Sequence, residues 1–244
     1  MLLTINQGNT RTKALLFDHD QQEYAVVDTS QDEARFCRWF AGLPRPDRIV
    51  LSSVVPEAAA ALSRAATQVF GLPVEQVQAR EDLGIRFTTV DYHHLGADLF
   101  VNAVISHHQY GGDLLNVDLG SASTFCVIKD GLYLGTSIVP GMELSIRAMI
   151  TGTALLKEFE LVKMQRIIHD NTVACLQSGI YFGYFELVRG MIERIKEEQG
   201  PLQVVLTGGI GTFLHEELAP FVDHFRPNLT MEGLRLIADL KPKL

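Results

Sequence analysis

Residues 116–124 read Asn-Val-Asp-Leu-Gly-Ser-Ala-Ser-Thr, and the fold is best interpreted outward from this stretch. An apolar run that includes Leu114 and Leu115 leads into it, which is typical of a buried strand. A single carboxylate, Asp118, is then followed by Gly120 and small residues, which favour a tight turn and let a ligand approach the backbone. A carboxylate at such a turn can accept a proton or hold a metal ion bound to phosphates. An ordinary hairpin turn with an aspartate at its corner is the simpler alternative.

An internal repeat favours the functional interpretation. Residues 2–12, Leu-Leu-Thr-Ile-Asn-Gln-Gly-Asn-Thr-Arg-Thr, align with residues 114–124 at a constant offset of 112. In this alignment Gly8 falls on Gly120. Two copies of strand, glycine turn and strand predict two similar halves, each offering a turn to the same ligand.

The composition excludes several classes of protein. Of the 244 residues, 47% are hydrophobic and 20% charged, which is typical of a globular chain with a sizeable core. The net charge of −8 disfavours nucleic-acid binding, which needs a basic face. No apolar run is long enough for a membrane span, and residues 1–5 enter a strand pattern without the features of a signal peptide. Three scattered cysteines have neither metal nor disulfide spacing. We therefore expect a cytoplasmic protein with no nucleic-acid and no membrane partner.

The pair Gly111-Gly112 marks the expected boundary between two domains, residues 1–111 and 112–244. Each half is predicted to begin with three strands and to continue with mixed helix and strand, which is an α/β order. Residues 172–199 have helical content, and an interruption near Gly179 and Gly183 is left open. Residues 203–206 are predicted to form a strand and residues 231–240 a helix.

Seven groups of residues, taken in order along the chain, resemble the type III pantothenate kinases. This family is part of the superfamily of acetate kinase, sugar kinases, heat-shock chaperones and actin. The groups are Gly8-Asn9-Thr10 with Lys13; Ser52-Ser53-Val54-Val55-Pro56; Leu95-Gly96-Ala97-Asp98; Asp118, Gly120, Ala122 and Thr124; Gly135 with Pro140-Gly141; Asn171-Thr172 with Ser178-Gly179; and Thr207-Gly208-Gly209.

The resemblance implies two ribonuclease-H-like domains of the actin-like ATPase kind, with a nucleotide cleft between them. It implies ATP-dependent phosphorylation of pantothenate to 4′-phosphopantothenate, the first step of coenzyme A biosynthesis. It also implies magnesium, a monovalent cation (potassium or ammonium), and a homodimer that holds pantothenate near the subunit interface.

The resemblance further assigns roles to single residues. Asp118 matches the family's proposed general base, and it is also a candidate metal ligand, through water or a monovalent cation. Contacts to ATP and its phosphates are expected at Asn6, Gly8, Asn9, Thr10, Lys13, Gly120, Thr124, Gly208 and Gly209. Contacts to pantothenate are expected at Gly96, Asp98, Leu99 and Thr172. Lys13 has an alternative interpretation as a solvated edge of the first hairpin.

The chain departs from the family pattern at two charged positions. Asn6 stands where the family has Asp, and an amide cannot supply the negative charge that supports magnesium. Leu99 stands where the family has Arg, and leucine offers no donor to pantothenate. Each lost charged contact is worth about 1.5–3 kcal/mol. Two alternatives therefore stay open: a catalytically impaired homologue acting as a binding or regulatory protein of the Bvg accessory factor type, or a kinase for another small alcohol.

Two histidine pairs, His93-His94 and His107-His108, complete the candidate residues. Adjacent histidines on a helix diverge, and no third ligand is spaced for zinc. We interpret both pairs as exposed or structural.

Overall fold

A computed structural model describes residues 1–18, 21–88, 92–153, 156 and 158–240. The chain divides into two compact units. Unit 1 comprises Met1–Gly112, Asp130–Tyr133 and Asn228–Leu244, and unit 2 comprises Asp113–Lys129 and Leu134–Pro227. The first segment of unit 1 ends at Gly112, one residue after the end of the predicted first domain. The predicted second domain also contains Asp130–Tyr133 and residues 228–240, which the structure groups with unit 1. Whether residues 1–111 and 112–244 are independent domains stays a prediction.

The elements of unit 1 are a sheet and the helices that cover it. The strands of this sheet are β1 (Leu2–Gln7), β2 (Arg11–Asp18), β3 (Gln21–Asp28), β4 (Arg48–Ser53) and β5 (Val74–Gln76). A further short strand of unit 1, β6 (Arg86–Phe87), is an edge strand of the second sheet. The helices of unit 1 are α1 (Glu33–Ala41), α2 (Pro56–Phe70), α3 (Ala97–Tyr110) and α7 (Leu229–Asp239), with short 3-10 helices at Glu81–Leu83 and Tyr92–His94.

Unit 2 has the same kinds of elements. Its strands are β7 (Asp113–Leu119), β8 (Ala122–Lys129), β9 (Leu132–Pro140), β10 (Gln203–Thr207) and β11 (His224–Phe225). Its helices are α4 (Met142–Thr151), α5 (Thr172–Gln199) and α6 (Gly209–Leu218), with a 3-10 helix at Ala219–Phe221. The first two residues of β9, Leu132 and Tyr133, belong to unit 1, where they pair with β6.

The strand order of the first sheet, β3-β2-β1-β4-β5, recurs in the second as β9-β8-β7-β10-β11. In each sheet the first strand forms an antiparallel hairpin with the second and pairs in parallel with the fourth. The repeat seen in the sequence is therefore a repeat of sheet topology. The predicted α/β class with two similar halves is confirmed.

The core of unit 1 lies between its sheet and the helices α1 and α2. Leu3, Ile5 and Leu51 point to this side and are fully buried with Phe36 and Leu62. Burial of each such side chain stabilises the fold by about 1.5–3 kcal/mol. This packing fixes β1 and β4 side by side, so the ends of both strands are rigidly placed.

The helices α3 and α7 pack against each other and against β4, and α7 also contacts β1. A Cβ atom at Gly233 would lie 2.6 Å from Cγ1 of Val101, so glycine is needed for this close helix approach. The Thr230 hydroxyl donates a hydrogen bond of 2.8 Å to the buried Asn102 side chain. The C-terminal helix is thus an integral part of unit 1.

The core of unit 2 is built around α5, which runs without interruption for 28 residues. Its buried residues include Tyr181, Val188 and Ile192, and they pack against the apolar face of β7. The interruption near Gly179 and Gly183 that the sequence left open does not occur, because both glycines lie on the exposed side of a helix held by these buried contacts. Within the described ranges, no helix is long and apolar enough to cross a membrane.

Candidate functional site

Asp118 lies at the carboxyl end of β7, one residue before the strand ends. Its register partners are Thr124 on the antiparallel strand β8 and Thr207 on the parallel strand β10. Register partners point to the same face of a sheet at about 5 Å spacing. The carboxylate is therefore flanked by two hydroxyl side chains. Thr124, the last residue of the stretch 116–124, lies within β8.

The Gly208-Gly209 turn lies directly against Asp118. Gly208 has φ +94°, and a Cβ atom there would come 2.5 Å from the carbonyl oxygen of Leu119 and 2.7 Å from Oδ1 of Asp118. No L side chain fits this position, which explains the glycine. Gly209 is the first residue of α6, whose N-terminus has no side-chain cap.

A second glycine contact packs α4 against the β7–β8 turn. The turn consists of Gly120 and Ser121, and the N–H of Gly120 donates to the carbonyl of Ala122 at 3.1 Å. Gly141, which precedes α4, donates its N–H to the carbonyl of Ser121 at 3.1 Å. A Cβ atom on Gly141 would collide with the carbonyl oxygen of Gly120. The N-terminus of α4, also without a side-chain cap, is thereby fixed at the turn that follows Asp118.

A buried tyrosine on α5 connects this helix to the elements around the β7–β8 turn. The hydroxyl groups of Tyr184, on α5, and Ser123, on β8, are hydrogen-bonded to each other. Burial is the main cause that raises the pKa of Tyr184, and the negative charge of Asp118 adds to it. Hydrogen bonds with Ser123 and with the backbone of Met142 act in the opposite direction. Tyr184 therefore stays neutral and joins three elements around the turn.

The charge distribution around Asp118 favours the binding of an anion next to this carboxylate, which can act as a base. The free N–H groups and the dipole of a helix N-terminus favour negative charge, and two uncapped ten-residue helices begin here. The carboxylate of Asp118 is half-buried rather than sealed from ligands. The site can thus hold phosphate oxygens on backbone donors while a carboxylate accepts a proton.

Unit 1 has a corresponding row of polar side chains. Asn6 is the register partner of Lys13 on β2 and of Ser52 on β4. The Ser52 hydroxyl is buried without a hydrogen-bond partner within the described residues. Lys13 is half-buried, so its side chain shares a face with Asn6 rather than lying wholly in solvent at the hairpin edge.

The loop after β1 contains Gly8, Asn9 and Thr10, one residue more than its counterpart in unit 2. The N–H of Gly8 donates to the carbonyl of Arg11 at 3.0 Å. Thr29 also stabilises the loop, because its hydroxyl donates a hydrogen bond of 2.6 Å to the carbonyl of Gly8. Asn9 is exposed at the tip. The loop is therefore closed by backbone contacts and leaves its central side chain available.

Gly96 lies in the wall of a cavity of about 450 Å³ in unit 1. It precedes α3, and a Cβ atom there would lie 2.7 Å from Oδ1 of Asp98. The same oxygen accepts the N–H of Leu99 at 2.8 Å. Burial raises the pKa of Asp98, and this backbone hydrogen bond opposes the increase. Gly96, Asp98 and Leu99 thus form one local group at the start of α3.

Thr172 lies elsewhere, in unit 2, as the first residue of α5. It is exposed, and the preceding Asn171 caps the helix by accepting the N–H of Ala174 at 3.0 Å. The structure therefore groups the predicted residues into two separate sets. Unit 2 holds Asp118, Gly120, Thr124, Thr172, Gly208 and Gly209, and unit 1 holds the others.

Ser52 and Thr207 lie in the matching motifs, but no contact to a ligand was predicted for them from the sequence. Each is the parallel-strand neighbour of the key polar residue in its unit, Asn6 or Asp118. The aligned repeat covered only the hairpins, so the fourth strand of each half could not be placed beside them. The pattern of buried strand followed by small polar residues at 48–53 and 203–207 was the available signal.

The described residues offer isolated carboxylates rather than a cluster of metal-ligating side chains. No group of three or more His, Cys, Asp or Glu side chains suited to a metal ion occurs in the described part of the chain. A lone carboxylate such as Asp118 fits magnesium that is held mainly by substrate phosphates and water, because this ion keeps much of its hydration. Asn6 adds a neutral amide oxygen but no charge.

Comparison with known proteins identifies the family. The family model for type III pantothenate kinase matches residues 2–194. This chain belongs to the type III pantothenate kinase family. A relative named type III pantothenate kinase, from Ruegeria sp. (strain TM1040), is 36% identical and covers 97% of this chain and 96% of its own. A second, from Acidiphilium cryptum (strain JF-5), is 37% identical over 99% of this chain and 96% of its own.

The fold comparison agrees with membership of this family. A solved structure from Campylobacter jejuni, assigned to the Baf family of transcriptional activators, has a TM-score of 0.58 and 18% identity, and covers 96% of both chains. At this identity the likeness shows the fold alone. The two-sheet architecture is that of the actin-like ATPase kinases, as expected from the resemblance.

Proposed function

We propose that this protein transfers the γ-phosphoryl group of ATP to pantothenate and forms 4′-phosphopantothenate, the first step of coenzyme A biosynthesis. Relatives that carry the name type III pantothenate kinase match almost the whole chain, which supports this assignment. Both the acceptor and the reaction follow from that name.

The observation that carries the chemistry is the packing of Gly208 against Asp118. It brings the uncapped N-terminus of α6 beside a carboxylate, within a unit where α4 presents a second such N-terminus. Phosphoryl transfer depends mainly on positioning and on stabilising charge. Backbone donors for phosphate oxygens and one base are the parts that this reaction requires.

In the proposed reaction Asp118 accepts the proton of the pantothenate hydroxyl. The hydroxyl oxygen then forms a bond to the γ-phosphorus, the bond from that phosphorus to the β–γ bridging oxygen breaks, and ADP leaves. Magnesium bound to the triphosphate would neutralise its charge. The backbone N–H groups at Gly208 and Gly209 would orient the phosphates.

Further roles come from the resemblance and stay proposals. In unit 1, the loop Gly8–Thr10 and Lys13 are proposed to contact phosphates, and Gly96, Asp98 and Leu99 to contact pantothenate. Thr172, which belongs to unit 2, is proposed as a further contact to pantothenate. A potassium or ammonium requirement is proposed on the same basis, and replacing potassium by sodium in the assay tests it. A cytoplasmic location is also proposed, since none of the three cysteines, all within the described residues, forms a disulfide.

The test is ADP release from ATP, magnesium and potassium, measured with and without pantothenate. We expect pantothenate-dependent release, and we expect Asp118→Asn to reduce it by about 10²–10⁴-fold, as for loss of a general base. Asp113→Asn is the matched control, because Asp113 is a carboxylate at the opposite end of the same strand. Full activity in Asp118→Asn would defeat the base assignment.

One feature of unit 1 favours a second candidate, a kinase for another small alcohol. Leu99 places an apolar side chain next to Asp98, where the family has an arginine. No turnover with pantothenate at high enzyme concentration, together with turnover on another alcohol, would support that candidate. No turnover with any alcohol would support the impaired, regulatory homologue. If the pocket is only weakened, Leu99→Arg should lower the KM for pantothenate.

A homodimer is proposed as the assembly. Large apolar side chains are exposed mainly in unit 2: of ten such residues in the described chain, eight lie between residues 138 and 187. They are Ile138, Leu144, Met149, Val162, Ile167, Ile168, Val173 and Leu187. Concentrated exposed apolar surface is typical of an interface, and most soluble oligomers are symmetric homodimers.

Sedimentation equilibrium tests the dimer. Ile168, with 79% of its surface exposed, is the most exposed of the eight. We expect Ile168→Glu to shift the protein toward the monomer, whereas Val26→Glu, on an exposed apolar residue of unit 1, should not. A monomeric wild-type protein at assay concentration would refute the dimer.

A further inference from the structure

A buried amide lies on β7, two residues before Asp118. The side chain of Asn116 is 2% exposed, and within the described residues neither its Oδ1 nor its Nδ2 has a hydrogen-bond partner. A buried amide without partners makes the folded chain less stable than an apolar side chain of the same size would. The fold alone therefore does not explain why an asparagine occupies this position.

The neighbours of Asn116 on its face of the sheet include one strong hydrogen-bonding group. Its register partners are Cys126 on β8 and Val205 on β10, and both are buried. Valine has no polar side-chain atom, and a cysteine thiol forms only weak hydrogen bonds. Along β7 the preceding side chain on this face is the apolar Leu114, and the following one is Asp118. The strand thus places the carboxylate of Asp118 next to the amide.

Unit 1 has a polar residue at the equivalent position, but there it is hydrogen-bonded within its own hairpin. The offset of 112 places Thr4 over Asn116, two residues before Asn6. The fully buried Thr4 hydroxyl donates a hydrogen bond of 3.1 Å to the carbonyl of Leu15, its register partner on β2. The repeated fold can therefore pair a polar side chain locally at this position. The unpaired amide occurs in the unit that carries the charged Asp118.

The spacing along the strand suits a single bridging water. Residues i and i+2 of a strand lie about 6.6 Å apart on the same face. Two hydrogen bonds of about 2.8 Å that share one water oxygen span up to about 5.6 Å, and side chains close the remaining distance. The amide offers a donor, and an ionised carboxylate only accepts. A water that accepts from Nδ2 of Asn116 and donates to Asp118 satisfies both groups.

We propose that Asn116 is a positioning residue, which holds the carboxylate of Asp118 in its reactive orientation through one ordered water. The effect on catalysis rests on the proposed function, because it takes Asp118 as the base. A supported carboxylate rotates less, and a base that is correctly oriented before the substrate arrives reacts faster. The asparagine is thus retained for orientation at the expense of stability.

The first experiment is a double-mutant cycle on urea unfolding of the whole protein. It compares the wild type with Asn116→Thr, Asp118→Ala and the double variant. Threonine is the residue of the equivalent position in unit 1, and its hydroxyl can donate to the carbonyl of Cys126 instead of acting on Asp118. We expect the double variant to unfold at a urea midpoint about 0.5 M higher than the sum of the single shifts predicts. Additive shifts would overturn the proposal, whether or not the protein has kinase activity.

The second experiment measures pantothenate-dependent ADP release in the same four proteins. Asn116→Thr should lower kcat by about tenfold, as for loss of a hydrogen bond to a charged group, and leave both KM values unchanged because the amide touches neither substrate. In the Asp118→Ala background the same substitution should have no further effect on the residual rate. An equal fall in both backgrounds would contradict an action through Asp118.

Ser106→Ala is the matched control. Ser106, on α3, also has a fully buried hydroxyl without a hydrogen-bond partner among the described residues, but it belongs to neither group of site residues. Its substitution should leave kcat unchanged, and its effect on the urea midpoint should add to that of Asp118→Ala.

The outcomes separate this proposal from the proposed function. Non-additive midpoints without any ADP release refute the kinase assignment and support the contact between Asn116 and Asp118. Additive midpoints with normal ADP release in Asn116→Thr refute the positioning role alone. Additive midpoints without any ADP release overturn both.

Discussion

Replacing Gly208 by alanine is the sharpest test of how the Asp118 site is built. The new Cβ would lie 2.5 Å from the carbonyl oxygen and 2.6 Å from the carbonyl carbon of Leu119, and 2.7 Å from Oδ1 of Asp118. Two of these neighbours are backbone atoms, which cannot rotate away. The backbone angle φ of +94° adds strain of its own for any L side chain. The Gly208-Gly209 turn or the end of β7 must therefore move.

The expected loss of stability in Gly208→Ala is the sum of a backbone cost and a packing cost. A left-handed backbone angle costs about 1–2 kcal/mol for a residue with a Cβ atom. An overpacked contact costs about 1–3 kcal/mol. We expect Gly208→Ala to lower the free energy of unfolding by about 2–5 kcal/mol, measured by urea unfolding followed by circular dichroism. The shift of the turn should also slow ADP release by about 10²-fold, since a displacement near 1 Å at a reacting centre has that effect.

Gly190→Ala in α5 is the matched control, because no described atom outside the local helix backbone and the adjacent residues lies within 4 Å of the position its Cβ would take. There the same substitution should stabilise the protein by about 0.5–1 kcal/mol, because alanine favours a helix over glycine. A Gly208→Ala protein with wild-type stability and wild-type ADP release would refute the packing described for Asp118.

Three other substitutions test separate parts of the structure. Burial raises the pKa of Asp98 from its ordinary value of 3.8. As the pH rises, the carboxyl group therefore loses its proton in the unfolded chain before it does so in the native protein. The free energy of unfolding falls as the pH rises through the native pKa. Asp98→Asn should therefore raise the melting temperature at neutral pH, and the gain should shrink as the pH approaches 4; an equal gain at both would contradict this assignment. Asn6→Asp should lower the magnesium concentration needed for half-maximal ADP release by up to about tenfold, because it restores a charge beside Lys13; an unchanged magnesium dependence would speak against a role for Asn6. Thr230→Val should lower the free energy of unfolding by about 1–2 kcal/mol, because it removes the hydrogen bond to buried Asn102, while Thr230→Ser should retain most of it.

The hairpins were predictable because their signals are local. Alternating buried residues and a glycine turn lie within a dozen residues, and the offset of 112 repeated the pattern. The long helix α5 was predicted with the bounds that the structure shows, 172–199, but its continuity through Gly179 and Gly183 was left open. Helix propensity is weak compared with the burial of Tyr181, Tyr184 and Val188 in the core, so tertiary packing decided the outcome.

Contacts between distant parts of the chain were not predictable. The strands β5, β6 and β11 have two or three residues each and form only because partners far along the chain present an open edge. The assignment of α7 to unit 1 depends on Gly233 meeting Val101, more than a hundred residues earlier. The roles of the site residues came from family motifs and stay predictions until the variants are measured.

The place of α7 in unit 1 has a consequence for synthesis on the ribosome. The segments of unit 2 have all been made once residue 227 is reached, whereas unit 1 lacks α7 until residues 229–239 emerge. Until then the sides of α3, β1 and β4 that α7 will cover remain open to solvent. We therefore expect ribosome-bound chains that stop before Leu229 to be cut by protease in unit 1 before unit 2.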